Sequence, residues 1–315
     1  MRRQIVTALV TVLTVGLIVF FVVREGSITA LRGLEPGSIA VLLALSVLIL
    51  VVRGLQFANV ATPFGVRLGP GEATGLSAMH TLSNYLPARG GIVVRGAYLR
   101  EIHGLAVADY TAMLALWLFG SLISAVVIGL VVGLTGLLST GVMPTTGVFG
   151  LLGAGLLALW LLVERTTRLS SGTGRLARFG GRMNRGLRVA REPAAWRRWF
   201  LVYSFGLIVV GGVRYWFALR VLGSEASFLD ALVVQSLMSM SILLSITPGN
   251  IGIREGVGVF GASLVAMEVD VALLAAVVDR ALGLAVSVLG FGLLGRPLVR
   301  GIRRRSGHAP GDDDD

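Results

Sequence analysis

Two short stretches of this chain set arginine beside a proline and a glycine-rich break, in otherwise apolar surroundings. The first is Asn84-Tyr85-Leu86-Pro87-Ala88-Arg89-Gly90-Gly91-Ile92-Val93-Val94-Arg95-Gly96, and the second is Thr247-Pro248-Gly249-Asn250-Ile251-Gly252-Ile253-Arg254-Glu255-Gly256. Asp109 follows Pro87 at the same interval as Asp270 follows Pro248. A helix that stops inside an apolar layer leaves backbone N–H groups without partners, and such groups attract anions. Proline fixes the stop, and glycine lets a head group approach the backbone. Arginine adds a planar fork of donors that matches phosphate oxygens. The expected site is therefore a cationic chamber for a phosphate. Asn84, Pro87, Arg89, Gly91 and Arg95 would face Pro248, Asn250, Gly252, Arg254 and Glu255, with Asp279 and Arg280 balancing charge when the chamber is empty. Arg254 and Glu255 are sequence neighbours and do not face each other on a helix. The expected pairs are instead Arg254 with Asp279, or Glu255 with Arg280.

The other polar residues carry less chemistry. The chain has no cysteine, and its three histidines, His80, His103 and His308, are too scattered for a metal cage. No catalytic residue, metal or cofactor is expected. Glu101, His103 and Asp109 lie near one another in sequence without a catalytic arrangement. Arg214, alone in its apolar run, is expected to snorkel or to serve structure. Gln235, Ser236, Ser239, Ser241 and Ser245 read as helix-packing groups or as the lining of a polar path. Gly129 and Gly133 form a small-xxx-small packing pair. His80 and Asn84 share a helix face at i, i+4, as at a capped helix end.

Composition sets the surroundings of these motifs. Of 315 residues, 55% are hydrophobic and 14% charged, with a mean hydropathy of +0.83. That is a membrane composition, with room for one helical domain and none for a separate soluble catalytic one. The net charge is +11, and all 28 basic residues are arginine, which stays ionised. Nucleic acid is not an expected partner. Long apolar runs cover Ile5–Val23, Ser38–Val52, Thr111–Leu134, Gly147–Val163, Phe200–Leu219, Phe228–Ile246 and Val271–Leu294. About twenty residues cross a bilayer, so most of these can span. Ile5–Val23 follows Arg2 and Arg3 without a small-residue cleavage site and is expected to be an uncleaved anchor. Residues 164–199 and the tail are rich in arginine, whereas 135–146 is uncharged. The positive-inside rule then puts both termini and the central loop in the cytoplasm, with the plasma membrane as the location. Within that loop Leu176, Phe179, Met183, Leu187 and Ala190 share one helical face, so an amphipathic helix on an anionic leaflet is expected. Trp196 and Trp199 mark the interface before the next span.

Ala73–Leu86 is apolar but too short to cross. With the Pro87–Gly91 break and Ile92–His103 it forms an expected re-entrant hairpin, entered from the cytoplasm. Phe228–Ile246, the break Thr247–Gly252 and Val257–Met267 form a second, entered from outside. The expected fold is all-α: six full spans plus two oppositely oriented hairpins as an inverted repeat, their breaks meeting near the midplane. Eight full spans is the alternative. The domain expectation is one membrane unit over 1–298. Its halves, 1–163 and 200–298, are joined by loop 164–199, and a cytoplasmic tail over 299–315 is read as disordered.

The pattern Asn84…Leu86-Pro87-x-Arg89-x-Gly91-x-x-x-Arg95, then Pro248-Gly249-x-x-Gly252-Ile253-Arg254-Glu255, then Asp279-Arg280, resembles the lysylphosphatidylglycerol synthase/flippase-like transmembrane family over nearly the whole chain. The resemblance implies a polytopic, lipid-handling membrane protein without fixing the lipid. In the family an acidic residue often follows the first motif's glycine, where this chain has Ile92. The first half also has Leu116 and Trp117 near the point where the second half has Asp279–Arg280. Head-group contacts in the first half therefore rest on Arg89 and Arg95. The cytosolic aminoacyl-transferring domain of bifunctional relatives is absent, so the chain alone is not expected to synthesise lysylphosphatidylglycerol.

Three functions follow as expectations. The first is a translocase or binder of an anionic phospholipid or polyprenyl phosphate. Its movement would be passive or ion-coupled, because no G-x-x-x-x-G-K-[ST] motif is present. The second is an intramembrane transferase acting on lipid carriers. The third is an accessory subunit presenting a lipid to a glycosyltransferase or lipid synthase, docked through 164–199.

Overall fold

Backbone polar groups in hydrocarbon must be satisfied internally, and long continuous apolar runs do so as helices. The computed structural model describes residues 35–85, 90–140, 144–169, 194–244, 247–295 and 298, and among these no strand occurs. Nine α-helices follow in order: α1 Pro36–Ala61, α2 Pro70–Ser83, α3 Gly90–His103, α4 Val107–Thr140, α5 Pro144–Leu169, α6 Ala194–Val221, α7 Phe228–Met240, α8 Ile253–Leu264 and α9 Val269–Gly290. A 3₁₀ turn, Ser241–Leu244, extends α7, and a π turn, Phe291–Gly295, extends α9. The anchor Ile5–Val23, the amphipathic face from Leu176 to Ala190 and the tail lie outside the described residues, as do Pro87, Arg89 and Ser245.

Among the described residues, four segments are long and apolar enough to cross a membrane: Pro36–Phe64, Val107–Thr135, Arg197–Val221 and Val269–Gly295. Thr145–Ala158 and Phe228–Leu244 are shorter apolar helices. Leu48, Val131, Leu151, Leu157, Val202 and Leu289 are exposed on these elements, an outer surface suited to lipid rather than water. Trp199 and Tyr203 stack at the start of α6, beside exposed Arg197 and Arg198, as expected of an interface anchor.

Helix α1 runs on to Ala61, past the expected end at Val52. Arg53 ends the apolar run in sequence, but the helix continues through it and half-buries it. Close helix contacts come from small residues. A side chain at Gly54 would meet the α2 backbone at Thr74, 2.8 Å away, so α1 and α2 touch backbone to backbone. Gly129 and Gly133 do act in packing: Phe149 and Thr146 of α5 lie against them. A buried polar knot joins three elements. Gln56 of α1 donates to Ser204 Oγ of α6 (2.8 Å) and to Ser121 Oγ of α4 (3.2 Å). It accepts from Trp117 Nε1 of α4 at 2.9 Å. Trp117, opposite the second half's acidic pair in sequence, thus serves as a donor to this clamp.

Candidate functional site: an arginine cluster where two helix breaks touch

The first break begins where α2 ends. Asn84 N–H returns to the His80 carbonyl at 3.0 Å, and Asn84 Nδ2 donates to His80 Nε2 at 3.0 Å, which makes the expected capped end. Gly91, in the first turn of α3, is buried against that end. A Cβ there would collide with the His80 carbonyl and the Asn84 amide, so the turn from α2 into α3 closes only around glycine.

The second break is set by backbone geometry. Gly249 (φ 62°), Asn250 (φ 58°) and Gly252 (φ 80°) all occupy positive φ. Glycine adopts that region freely, and asparagine is the side chain that best tolerates it. Asn250 is held there by its own amide, which donates to Ser241 Oγ at 2.7 Å and to the Ser241 carbonyl at 3.2 Å. Ser241 therefore supports the break, a use that a packing or lining role for the α7 hydroxyls does not describe. Gln235 and Ser239 instead bond to each other within α7.

The two breaks touch. Gly249 N–H donates to the Asn84 carbonyl at 2.7 Å, and the Tyr85 ring lies against Gly249 where a Cβ would have to go. Arg280 of α9 locks the junction. It donates to the Gly249 carbonyl (2.8 Å), the Asn250 carbonyl (3.1 Å), Tyr85 OH (3.3 Å) and Glu255 Oε1 (2.5 Å). Glu255 in turn accepts the Gly252 N–H at 2.9 Å, capping α8. Carbonyls freed by an unwound segment are thus satisfied by one guanidinium.

Beside this lock sits Asp279, 1% exposed. Arg254 Nη2 lies 2.7 Å from one of its oxygens and Arg214 Nη2 lies 2.5 Å from the other. Arg214 also donates to Ser46 Oγ of α1 at 2.9 Å. Both expected pairs, Arg254–Asp279 and Glu255–Arg280, are present together. Arg214 does not snorkel: it is buried, and it brings α6 into the cluster.

The cations outnumber the carboxylates. Arg53 lies within Coulombic range of Arg214, Arg254 and Asp279, and of Arg95 on the other side. Arg95 is 1% exposed. Its guanidinium sits 3.8 Å above the Phe57 ring and reaches only Ser77 Oγ, at 3.4 Å. Its Nε has no partner. Among the described residues no carboxylate pairs with Arg53 or Arg95. Arg214, Arg254 and Arg280 thus hold Asp279 and Glu255, while Arg53 and Arg95 stand nearby without a carboxylate among the described residues. Such uncompensated charge is costly in a membrane interior.

Of the expected site residues, Asn84, Asn250, Glu255, Arg280, Arg254 and Asp279 come together at the junction. Pro248 opens its 3₁₀ turn, and Gly252 starts α8. Arg95 stands behind Arg53, against Phe57. Pro87 and Arg89 lie outside the described residues. Arg53, Arg214 and Tyr85 belong to the cluster although sequence reasoning gave them no site role. Each arginine was the lone charge of an apolar run, and that isolation was the available signal. His103 does not join Glu101 and Asp109 in a cluster. It pairs with Glu72 at 2.7 Å, and Tyr98 OH donates to the same Glu72 oxygen at 2.7 Å, closing the far ends of α2 and α3. Among the described residues no three ligating side chains could hold a metal.

Helices long enough to span, a lipid-suited outer surface and a buried arginine–carboxylate cluster at two helix breaks define a helical integral membrane protein. The family described as lysylphosphatidylglycerol synthase TM region matches residues 5–290, and the chain belongs to it. The family relates the protein to lipid handling. A search of the curated proteins finds no match.

Proposed function

We propose that this protein is a lipid translocase, which binds an anionic phospholipid or polyprenyl-phosphate head group at the arginine cluster while the tails stay in the bilayer. One observation carries the reading. Three guanidinium groups hold two carboxylates beside the point where Gly249 N–H meets the Asn84 carbonyl, and Arg53 and Arg95 add nearby charge that no described carboxylate pairs. A head group bound there would meet arginine donors not spent on Asp279 and Glu255, which suits phosphate.

The topology that fits is six spans with two re-entrant hairpins. Helix α2 has 14 residues, about 21 Å at 1.5 Å per residue. Helix α8 has 12, about 18 Å. Both fall short of a hydrocarbon core of roughly 30 Å. The starting end of α2 packs beside the finishing end of α9: Gly75 abuts the Leu294 carbonyl, and Ala78 lies by Gly290. At the opposite end Tyr215 OH of α6 donates to the Ala272 carbonyl of α9 at 2.9 Å. The α2–α3 hairpin thus enters from the side where α9 finishes, and the α7–α8 hairpin from the side where α9 starts. That is the arrangement of an inverted repeat whose halves rock against each other. With the positive-inside rule, α9 finishes in the cytoplasm, both termini are cytoplasmic and the plasma membrane is the location. Residues 1–298 form one membrane unit with the loop 164–199 between its halves, and 299–315 form a cytoplasmic tail.

The test is reconstitution. Liposomes containing the full chain receive head-group-labelled phosphatidylglycerol or labelled polyprenyl phosphate, and a membrane-impermeant quencher reads the fraction left inside. At least one of the two is expected to cross on the assay timescale, well above protein-free liposomes. Equal rates for both lipids with and without folded protein would overturn the proposal.

A further inference from the structure

The charge count at the cluster selects among phosphates, and this step rests on the lipid-binding reading above. Asp279 is shared by Arg214 and Arg254, and Glu255 is held by Arg280. Those carboxylates are used within the cluster. Among the described residues Arg53 and Arg95 have none, and Arg254 keeps donors beyond its bond to Asp279, with a side chain 23% exposed. A singly charged phosphodiester would leave most of the excess uncompensated in a medium where unpaired charge is expensive. A lysyl-esterified phosphodiester, with two ammonium groups against one phosphate charge, would add to it. A terminal phosphate carries about −1.5 to −2 at pH 7 and a third oxygen able to accept.

We infer that the site takes a lipid ending in a phosphate monoester or diphosphate in preference to a phosphodiester lipid, with Arg53 and Arg254 contacting the phosphate and the Arg95 charge supporting it from behind. Arg53 is the specific addition. It lies on α1 two turns beyond Ser46, the residue that Arg214 reaches, so both face the cluster, and its side chain is half-buried. Arg95 is enclosed against Phe57 and acts through its field. Arg280, with its donors engaged by Glu255, Tyr85 and two carbonyls, holds the breaks together and is not a ligand group.

The experiment titrates the purified full chain, in nanodiscs of zwitterionic lipid, with phosphatidic acid, polyprenyl phosphate, phosphatidylglycerol and lysylphosphatidylglycerol. The two monoesters are expected to bind on the order of tenfold tighter than phosphatidylglycerol, with lysylphosphatidylglycerol weakest. The second ionisation of a phosphate monoester lies near pH 6, so the dianion dominates above it and is lost below it. The monoester advantage should therefore shrink as pH falls from about 7.5 to about 5.5, while phosphatidylglycerol binding stays level. Arg53→Gln should remove most of the advantage and Arg53→Lys retain it. Inorganic phosphate at micromolar concentration should not displace the lipid, because the site is reached from the bilayer. Phosphatidylglycerol binding as tightly as the monoesters, an advantage unchanged in folded Arg53→Gln, or displacement by micromolar phosphate would overturn the inference. If Arg53→Gln does not fold, the pH series on the unaltered chain decides. Equal translocation of diester and monoester lipids would remove this preference alone, whereas no lipid movement at all removes the translocase reading.

Discussion

Asp279→Asn is expected to cost the protein about 3–5 kcal/mol, because it breaks a buried ion pair by removing one side only. Asp279 is the sole carboxylate touching Arg214 and Arg254 among the described residues, and all three groups lie on different helices, α9, α6 and α8. The substitution leaves two guanidinium groups facing each other with no counter-charge. In detergent the melting temperature should fall on the order of 10 °C. The sign of the effect separates an ion pair from simple packing. Adding Arg214→Leu to Asp279→Asn removes a stranded cation and should return part of the loss, so the two substitutions are non-additive. A single Asp279→Asn variant melting within about 1 °C of the unaltered chain would mean that this carboxylate does not hold the cluster.

The second large effect is on transport. In the double variant Arg95→Gln/Arg254→Gln, lipid translocation should drop on the order of a hundredfold, from losing one charge-assisted interaction worth about 1.5–3 kcal/mol and the supporting field of a second charge. The fold should survive better than in Asp279→Asn. Asp279 keeps Arg214, and the Arg280 lock on Gly249, Asn250 and Glu255 is untouched. Translocation at the unaltered rate in a folded double variant would exclude a head-group path past these arginines.

The all-helical fold and the meeting of the two motifs were legible in the sequence. Proline and glycine in an apolar run force a helix to stop, and the stop is visible without a structure. The Arg254–Asp279 and Glu255–Arg280 pairs were legible too, since sequence neighbours on a helix cannot pair with each other. Arg53 and Arg214 were not. A lone arginine in an apolar run reads the same whether it snorkels to the interface or turns inward. Only the packing of α1, α6 and α9 brings Ser46, Asp279 and the two arginines to one place. The apolar run Ser38–Val52 likewise covers only part of the helix that contains it. Arg53 interrupts the hydropathy, yet α1 continues past it with the side chain half-buried. Tyr85 sat in plain view within the first motif, but its contact with Gly249 depends on a residue more than half the chain away.

Native mass spectrometry of the full chain, released directly from its membrane, tests most directly whether phosphate-bearing lipid is held at the cluster. The unaltered chain should retain a mass adduct that fragments to a phosphate-terminated lipid, and Arg95→Gln/Arg254→Gln should emerge without it. The same lipids at the same occupancy on both proteins would contradict a head-group site at these arginines.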